Sequence, residues 1–121
     1  MIIIDTSVWI DFLKGDQEIR PLFNQILENR YVIALSAVFG ELLQGVRNDR
    51  EMEIIQSFWY NLPKIDEENL FIKAGLLCCK YEFITKGVGL IDCFILAASL
   101  ENNAEIWTLD RKLNQAIELI T

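Results

Sequence analysis

The sequence predicts an α/β domain with a central, mostly parallel sheet of four to five strands and helices on both faces. Two observations carry that expectation. Short apolar runs alternate along the chain with longer segments whose apolar residues recur at helical spacing, the pattern of βαβ units. The 121 residues, 52% hydrophobic and 24% charged, suffice for one core. No repeat and no Gly/Ser- or Pro-rich linker divides them, so residues 1–121 are expected to form a single domain.

The elements follow in order. Ile2-Ile3-Ile4 is a β-branched run suited to a buried parallel strand. Asp5-Thr6-Ser7 supplies capping residues for a helix over Val8 to Leu13 that Gly15 closes. Ile19, Leu22, Phe23, Ile26 and Leu27 set a helical period within Gln17 to Asn29. Tyr31 to Leu35 reads as a second strand, and Ser36 then caps a helix through Val46. Glu51 to Tyr60 is helical in spacing. Leu62-Pro63-Lys64-Ile65 fits only an edge strand, because proline is excluded from central ones. Glu67 to Thr85 reads as one long helix, stopped near Gly87 and Gly89. Leu90 to Glu101 reads as a nearly all-apolar, buried helix. Glu105 to Leu109 completes the expected parallel strands, Asp110 to Gln115 is a short helix, and Glu118 to Ile120 is a candidate last strand.

Composition narrows the chemistry. The formal charge is −7, and no histidine is present. Imidazole acid–base catalysis, Ser-His-Asp triads and His-ligated zinc are thereby excluded. An acidic chain gains nothing from generic counterion release, so binding RNA would require metal ions or a local basic patch. Lys14, Arg47, Arg50, Lys86, Arg111 and Lys112 lie near the segments of interest and are candidates to rim a site; each alone also fits a solvated surface charge. The opening has no basic start or hydrophobic leader, and Leu90 to Leu100 is too short to span a bilayer. Cys78, Cys79 and Cys93 form no C-x-x-C pair and read as reduced thiols of a cytoplasmic protein.

Four acids stand out. Asp5 and Asp110 follow expected strands, where ligands of parallel sheets bind. Glu41 and Asp92 lie inside strongly apolar helices, where a carboxylate is costly unless paired or bound to metal. Individually, Asp5 and Asp110 also fit helix caps, Asp92 fits a first-turn acid, and Glu41 fits an exposed stripe. If the four converge, their repulsion is relieved by a hard cation, and an all-oxygen donor set favours Mg²⁺ or Mn²⁺.

Asp5-Thr6-Ser7-Val8-Trp9-Ile10, Glu41-Leu42-Leu43-Gln44-Gly45, Asp92 with Ile95 and Ala97-Ala98, and Thr108-Leu109-Asp110 resemble, in order and approximate spacing, the motifs of the PIN-domain family. The likeness is greatest to VapC toxins of bacterial toxin–antitoxin pairs and covers nearly the whole chain. It implies a PIN-like three-layer α/β/α fold. It also implies an Mg²⁺-dependent endoribonuclease, or one using Mn²⁺, that cuts structured RNA such as tRNA or rRNA to 5′-phosphate and 3′-hydroxyl ends. Asp5, Glu41, Asp92 and Asp110 would be the catalytic and metal-binding acids, and Thr6, Ser7 and Thr108 the auxiliary hydroxyls. Lys14, Arg47, Lys86 and Arg111 are the first candidates for RNA contact. A homodimer and a small VapB-like antitoxin are the implied partners, with Phe58, Trp59 and Tyr60 available either to them or to the core. Leu113 departs from the family's frequent aromatic, and Ile95-Leu96-Ala97-Ala98 from its Ile-Ala-Ala; both touch packing.

Two rival classes remain at the level of sequence. A haloacid-dehalogenase-like phosphatase would place a second acid where Ser7 stands, and a receiver domain would need an early acidic pair and a suitably placed lysine. A non-catalytic RNA- or protein-binding module has no reason to keep Glu41 and Asp92 among apolar neighbours.

Overall fold

A computed structural model describes residues 1–121 as three short strands and seven α-helices. In chain order these are β1 (Ile2–Ile4), α1 (Thr6–Leu13), α2 (Arg20–Glu28), β2 (Val32–Ile33), α3 (Ser36–Gln44) and α4 (Asp49–Asn61). There follow α5 (Leu70–Lys80), a 3-10 turn (Phe83–Lys86), α6 (Leu90–Asn102), β3 (Glu105–Trp107) and α7 (Arg111–Ile120). The sheet is wholly parallel in the order β2-β1-β3, with Ile2 opposite both Val32 and Glu105, and Ile4 opposite Trp107. β1 is therefore central, and its Ile3 and Ile4 are buried, as an unbroken isoleucine run requires. The crossover from β1 to β2 moves one way along the sheet and that from β2 to β3 returns past β1 in the other, so the right-handed crossover rule assigns their helices to opposite faces.

Three strands stand where four to five were expected. Leu62 to Ile65 forms no strand. A single bond, from the Ala34 amide to the Pro63 carbonyl at 2.8 Å, ties it to the end of β2, and Pro63 has no N–H with which to extend a ladder. Glu118 to Ile120 is the last turn of α7. Leu113, Ala116, Ile117 and Ile120 recur at spacings of three and four, and together they turn one helical face to the core. The long helix expected over Glu67 to Thr85 is divided. α5 ends at Lys80, Glu82 adopts a left-handed φ of 54°, and the 3-10 turn then carries Phe83 into the core.

The core is one cluster of 30 buried residues. Six consecutive residues of α6, Cys93 to Ala98, are buried in it, which explains why that helix shows no polar stripe. Trp9 of α1 gathers an aromatic group around itself, meeting Phe23 at 4.9 Å, Phe39 at 5.2 Å and Phe58 at 5.2 Å, all edge to face. Phe23 in turn reaches Trp107 of β3. Phe58 and Trp59 thus belong to the packing, and Tyr60 is exposed. No helix is long and apolar enough to cross a membrane.

Candidate active site

At the carboxyl ends of β1 and β3 the backbone delivers Asp5 and Thr108 to neighbouring positions. They are the two polar residues among the 32 that are buried, and Thr108 Oγ1 donates to Asp5 Oδ2 at 2.7 Å. Ser7 Oγ, two residues into the first turn of α1, donates to the same oxygen at 3.0 Å. Asp5 stands at the N-cap of α1 but makes no side-chain cap bond there. Its carboxylate is turned to the hydroxyls, which separates it from an ordinary capping aspartate.

The frame extends through the backbone. The Leu109 amide donates to Ser7 Oγ at 3.1 Å, and the Asp110 amide donates to Thr108 Oγ1 at 3.0 Å. Asn114, which the motifs did not mark, donates from Nδ2 to the Thr108 carbonyl at 3.1 Å and locks the end of β3 to α7. Its only signal in the sequence was a short polar side chain four residues beyond Asp110. Asp110 itself caps α7, its Oδ1 accepting from the Lys112 and Leu113 amides at 2.8 and 3.3 Å. The capping reading of Asp110 is therefore correct, and it leaves Oδ2 uncommitted.

Glu41 and Asp92 complete the group from two helices. Thr6 Oγ1 donates to Glu41 Oε1 at 2.8 Å, joining α1 to α3. Asp92 lies in the first turn of α6. Burial, reinforced by the charges of Asp110, Asp5 and Glu41 and opposed by the Gly89 amide, pushes its carboxyl up from 3.8 to about 6. The fold thus brings all four acids within electrostatic reach. No basic side chain pairs with any of them, since the two ion pairs of the molecule are Arg47–Glu51 and Lys73–Glu101.

That uncompensated set of oxygens fits a hard divalent cation in donor chemistry. No three of the acids converge as ligands on one point. Glu41 is held toward Thr6 and Asp110 toward the start of α7, so loading an ion requires side chains to turn inward. Beside Glu41 opens a cleft of about 300 Å³, lined by Ile10, Leu13, Leu42, Val46, Ile54 and Ile55, with Lys14 and Arg47 among its polar residues. Arg47 is held by Glu51 at 3.0 Å. Lys86 donates to the Tyr81 carbonyl at 2.6 Å, and Arg111 is exposed.

A three-stranded parallel sheet with four carboxylates at its carboxyl edge defines the class, and comparison with known proteins agrees. The PIN domain model matches residues 2–119, and the chain belongs to that family. Among curated proteins it is similar to Ribonuclease VapC19 of Mycobacterium tuberculosis, from strain CDC 1551 / Oshkosh and from strain ATCC 25618 / H37Rv. Each is 27% identical over 110 residues, covering 89% of this chain and 87% of the relative.

Proposed function

We propose that this chain is a divalent-metal-dependent endoribonuclease, the toxin of a toxin–antitoxin pair, cutting structured RNA of the tRNA or rRNA class. The observation that carries the reading is the Asp5–Thr108 pair. A fold that buries just two polar side chains places them together at the sheet's carboxyl edge, beside three further acids that no cation neutralises. Membership of the PIN family and the likeness to proteins named ribonucleases support it.

Asp5, Glu41, Asp92 and Asp110 would hold the ion. Mg²⁺, or Mn²⁺, when bound supplies Lewis-acid polarisation of the scissile phosphate and lowers the pKa of the attacking water. The chain's own contribution is orientation. Ser7 and Thr108 occupy Oδ2 of Asp5, Thr6 occupies Oε1 of Glu41, and two amides occupy Oδ1 of Asp110. One oxygen of each of these three acids is fixed by a donor and the other is left for ion or substrate. In-line displacement then yields 5′-phosphate and 3′-hydroxyl ends. The apolar cleft that ends at Glu41 suits a VapB-like antitoxin segment, whose presence there would block the site. A homodimer and a cytoplasmic location complete the reading.

The test is incubation of the purified chain with total bacterial RNA in Mg²⁺, in Mn²⁺ and in EDTA, beside Asp5→Asn. Discrete fragments that require metal and vanish for the variant are expected. A folded Asp5→Asn protein that still cuts would remove Asp5 from the site, and a folded wild type inert in both metals would overturn the enzyme reading.

A further inference from the structure

Eleven lysines and arginines serve an acidic chain, and most are already engaged. Arg47 and Lys73 are in ion pairs, and Arg30, Lys64 and Lys86 donate to carbonyls. Arg20 and Lys80 lie over the rings of Phe12 and Tyr81. Four remain without a hydrogen bond, ion pair or ring contact from the side chain: Lys14, Arg50, Arg111 and Lys112. Of these, Lys112 differs in being seated.

Its backbone amide is bonded to Asp110 Oδ1 at 2.8 Å, and its side chain lies on Gly87, in the turn that leads into α6 and Asp92. A Cβ added at Gly87 would stand 2.6 Å from Lys112 Nζ and 3.1 Å from its Cδ. Gly87 has φ +76°, so its backbone favours glycine, and the lysine extends into the space that the missing side chain leaves. Lys112 therefore joins the two segments that bear Asp110 and Asp92, yet it forms an ion pair with neither acid. Its stem is packed against backbone and its ammonium is uncommitted at the edge of an anionic site. A polyanionic substrate approaching four carboxylates needs such a charge nearby.

We propose that Lys112, whose side chain lies over Gly87, binds a backbone phosphate of the RNA next to the acid cluster. The inference rests on the ribonuclease reading for its substrate. Its test uses binding as well as cleavage, so the two can fail separately.

Bulk bacterial tRNA is the probe. Binding is read by fluorescence anisotropy on the Asp5→Asn background and cleavage on the active chain. Lys112→Gln should raise Kd and KM about tenfold with kcat little changed, and should lower the slope of log Kd against log salt by about one. Lys112→Arg should recover most of the affinity. Arg30→Gln makes the same change in charge just before β2, at the opposite edge of the sheet from the acids, and should leave both values unchanged.

Equal Kd and salt slopes for Lys112→Gln and Arg30→Gln would overturn the proposal. A wild type that binds tRNA through Lys112 but cuts nothing in total bacterial RNA would overturn the nuclease reading alone. Absence of any tRNA binding would overturn the Lys112 proposal alone, because the nuclease reading also admits rRNA and is decided by the total-RNA assay.

Discussion

Asp5 Oδ2 accepts two hydroxyl hydrogen bonds, from residues 2 and 103 positions away in the chain. Thr108→Val keeps the shape of that contact and deletes one donor from a buried carboxylate. Activity should fall roughly 10- to 100-fold, the usual cost of losing a residue that orients a ligand. Stability should fall by about 1–3 kcal/mol. An initial-rate assay and a urea melt check the two, and unchanged kcat would mean that the bond does not orient Asp5. That Thr6, Ser7 and Thr108 lie near acids was legible from their positions in the motifs. Which acid each serves was not, because successive helix residues point about 100° apart, so Ser7 turns to Asp5 and Thr6 to Glu41.

Asp92 makes a second prediction at this scale. With the folded value near 6 and the ordinary value at 3.8, the folded state holds a proton that the unfolded chain has released. The contribution of Asp92 to the stability of the metal-free protein therefore falls as pH rises from about 4 to about 6 and is level above that. Asp92→Asn removes the penalty. After discounting for its half-exposed position, the variant should exceed wild type by about 1 kcal/mol at pH 8 in EDTA, with the gap closing near pH 4. Equal melts at pH 8 would place Asp92 outside the influence of the other acids.

Elements were legible where one period ran uninterrupted. β1, α1, α4 and α6 fall close to their expected limits because isoleucine runs, capping residues and apolar spacing agree there. α7 was misread at its end. Three apolar-rich residues, Glu118 to Ile120, fit a strand locally, and only the registration of Ile117 and Ile120 with Leu113 four and seven residues earlier identifies a helix. The division after α5 was missed because Glu82, a residue with no turn signature, takes the left-handed conformation. Glu118→Pro separates the two readings of the C-terminal segment. Glu118 is exposed, so little packing is lost, but a proline there removes a helical hydrogen bond and clashes with the preceding turn. Stability should drop by about 3 kcal/mol on denaturant titration, whereas an edge strand would tolerate the change with little loss.

At the scale of the whole molecule, the chain spends a net charge of −7 in an unusual way. Most of its acids are spread over the surface, but Asp5, Glu41 and Asp110 stand close enough to Asp92 for their charges to act on it. The metal-free fold therefore carries a repulsion that the unfolded chain does not. A divalent cation that binds there stabilises the native state by mass action, by about 2.7 kcal/mol at a hundred times its Kd. Mg²⁺ at millimolar concentration should raise Tm by several degrees, EDTA should reverse it, and NaCl at matched ionic strength should reproduce only the smaller, screened part. The decisive comparison is with Asp92→Asn. Lacking one of the repelling charges, it should melt higher than wild type in EDTA and gain less from Mg²⁺, so the two curves converge or cross as metal is added. Parallel curves, with the same Mg²⁺ increment in both proteins, would show that the ion acts on the general surface charge and that the four carboxylates do not form one site.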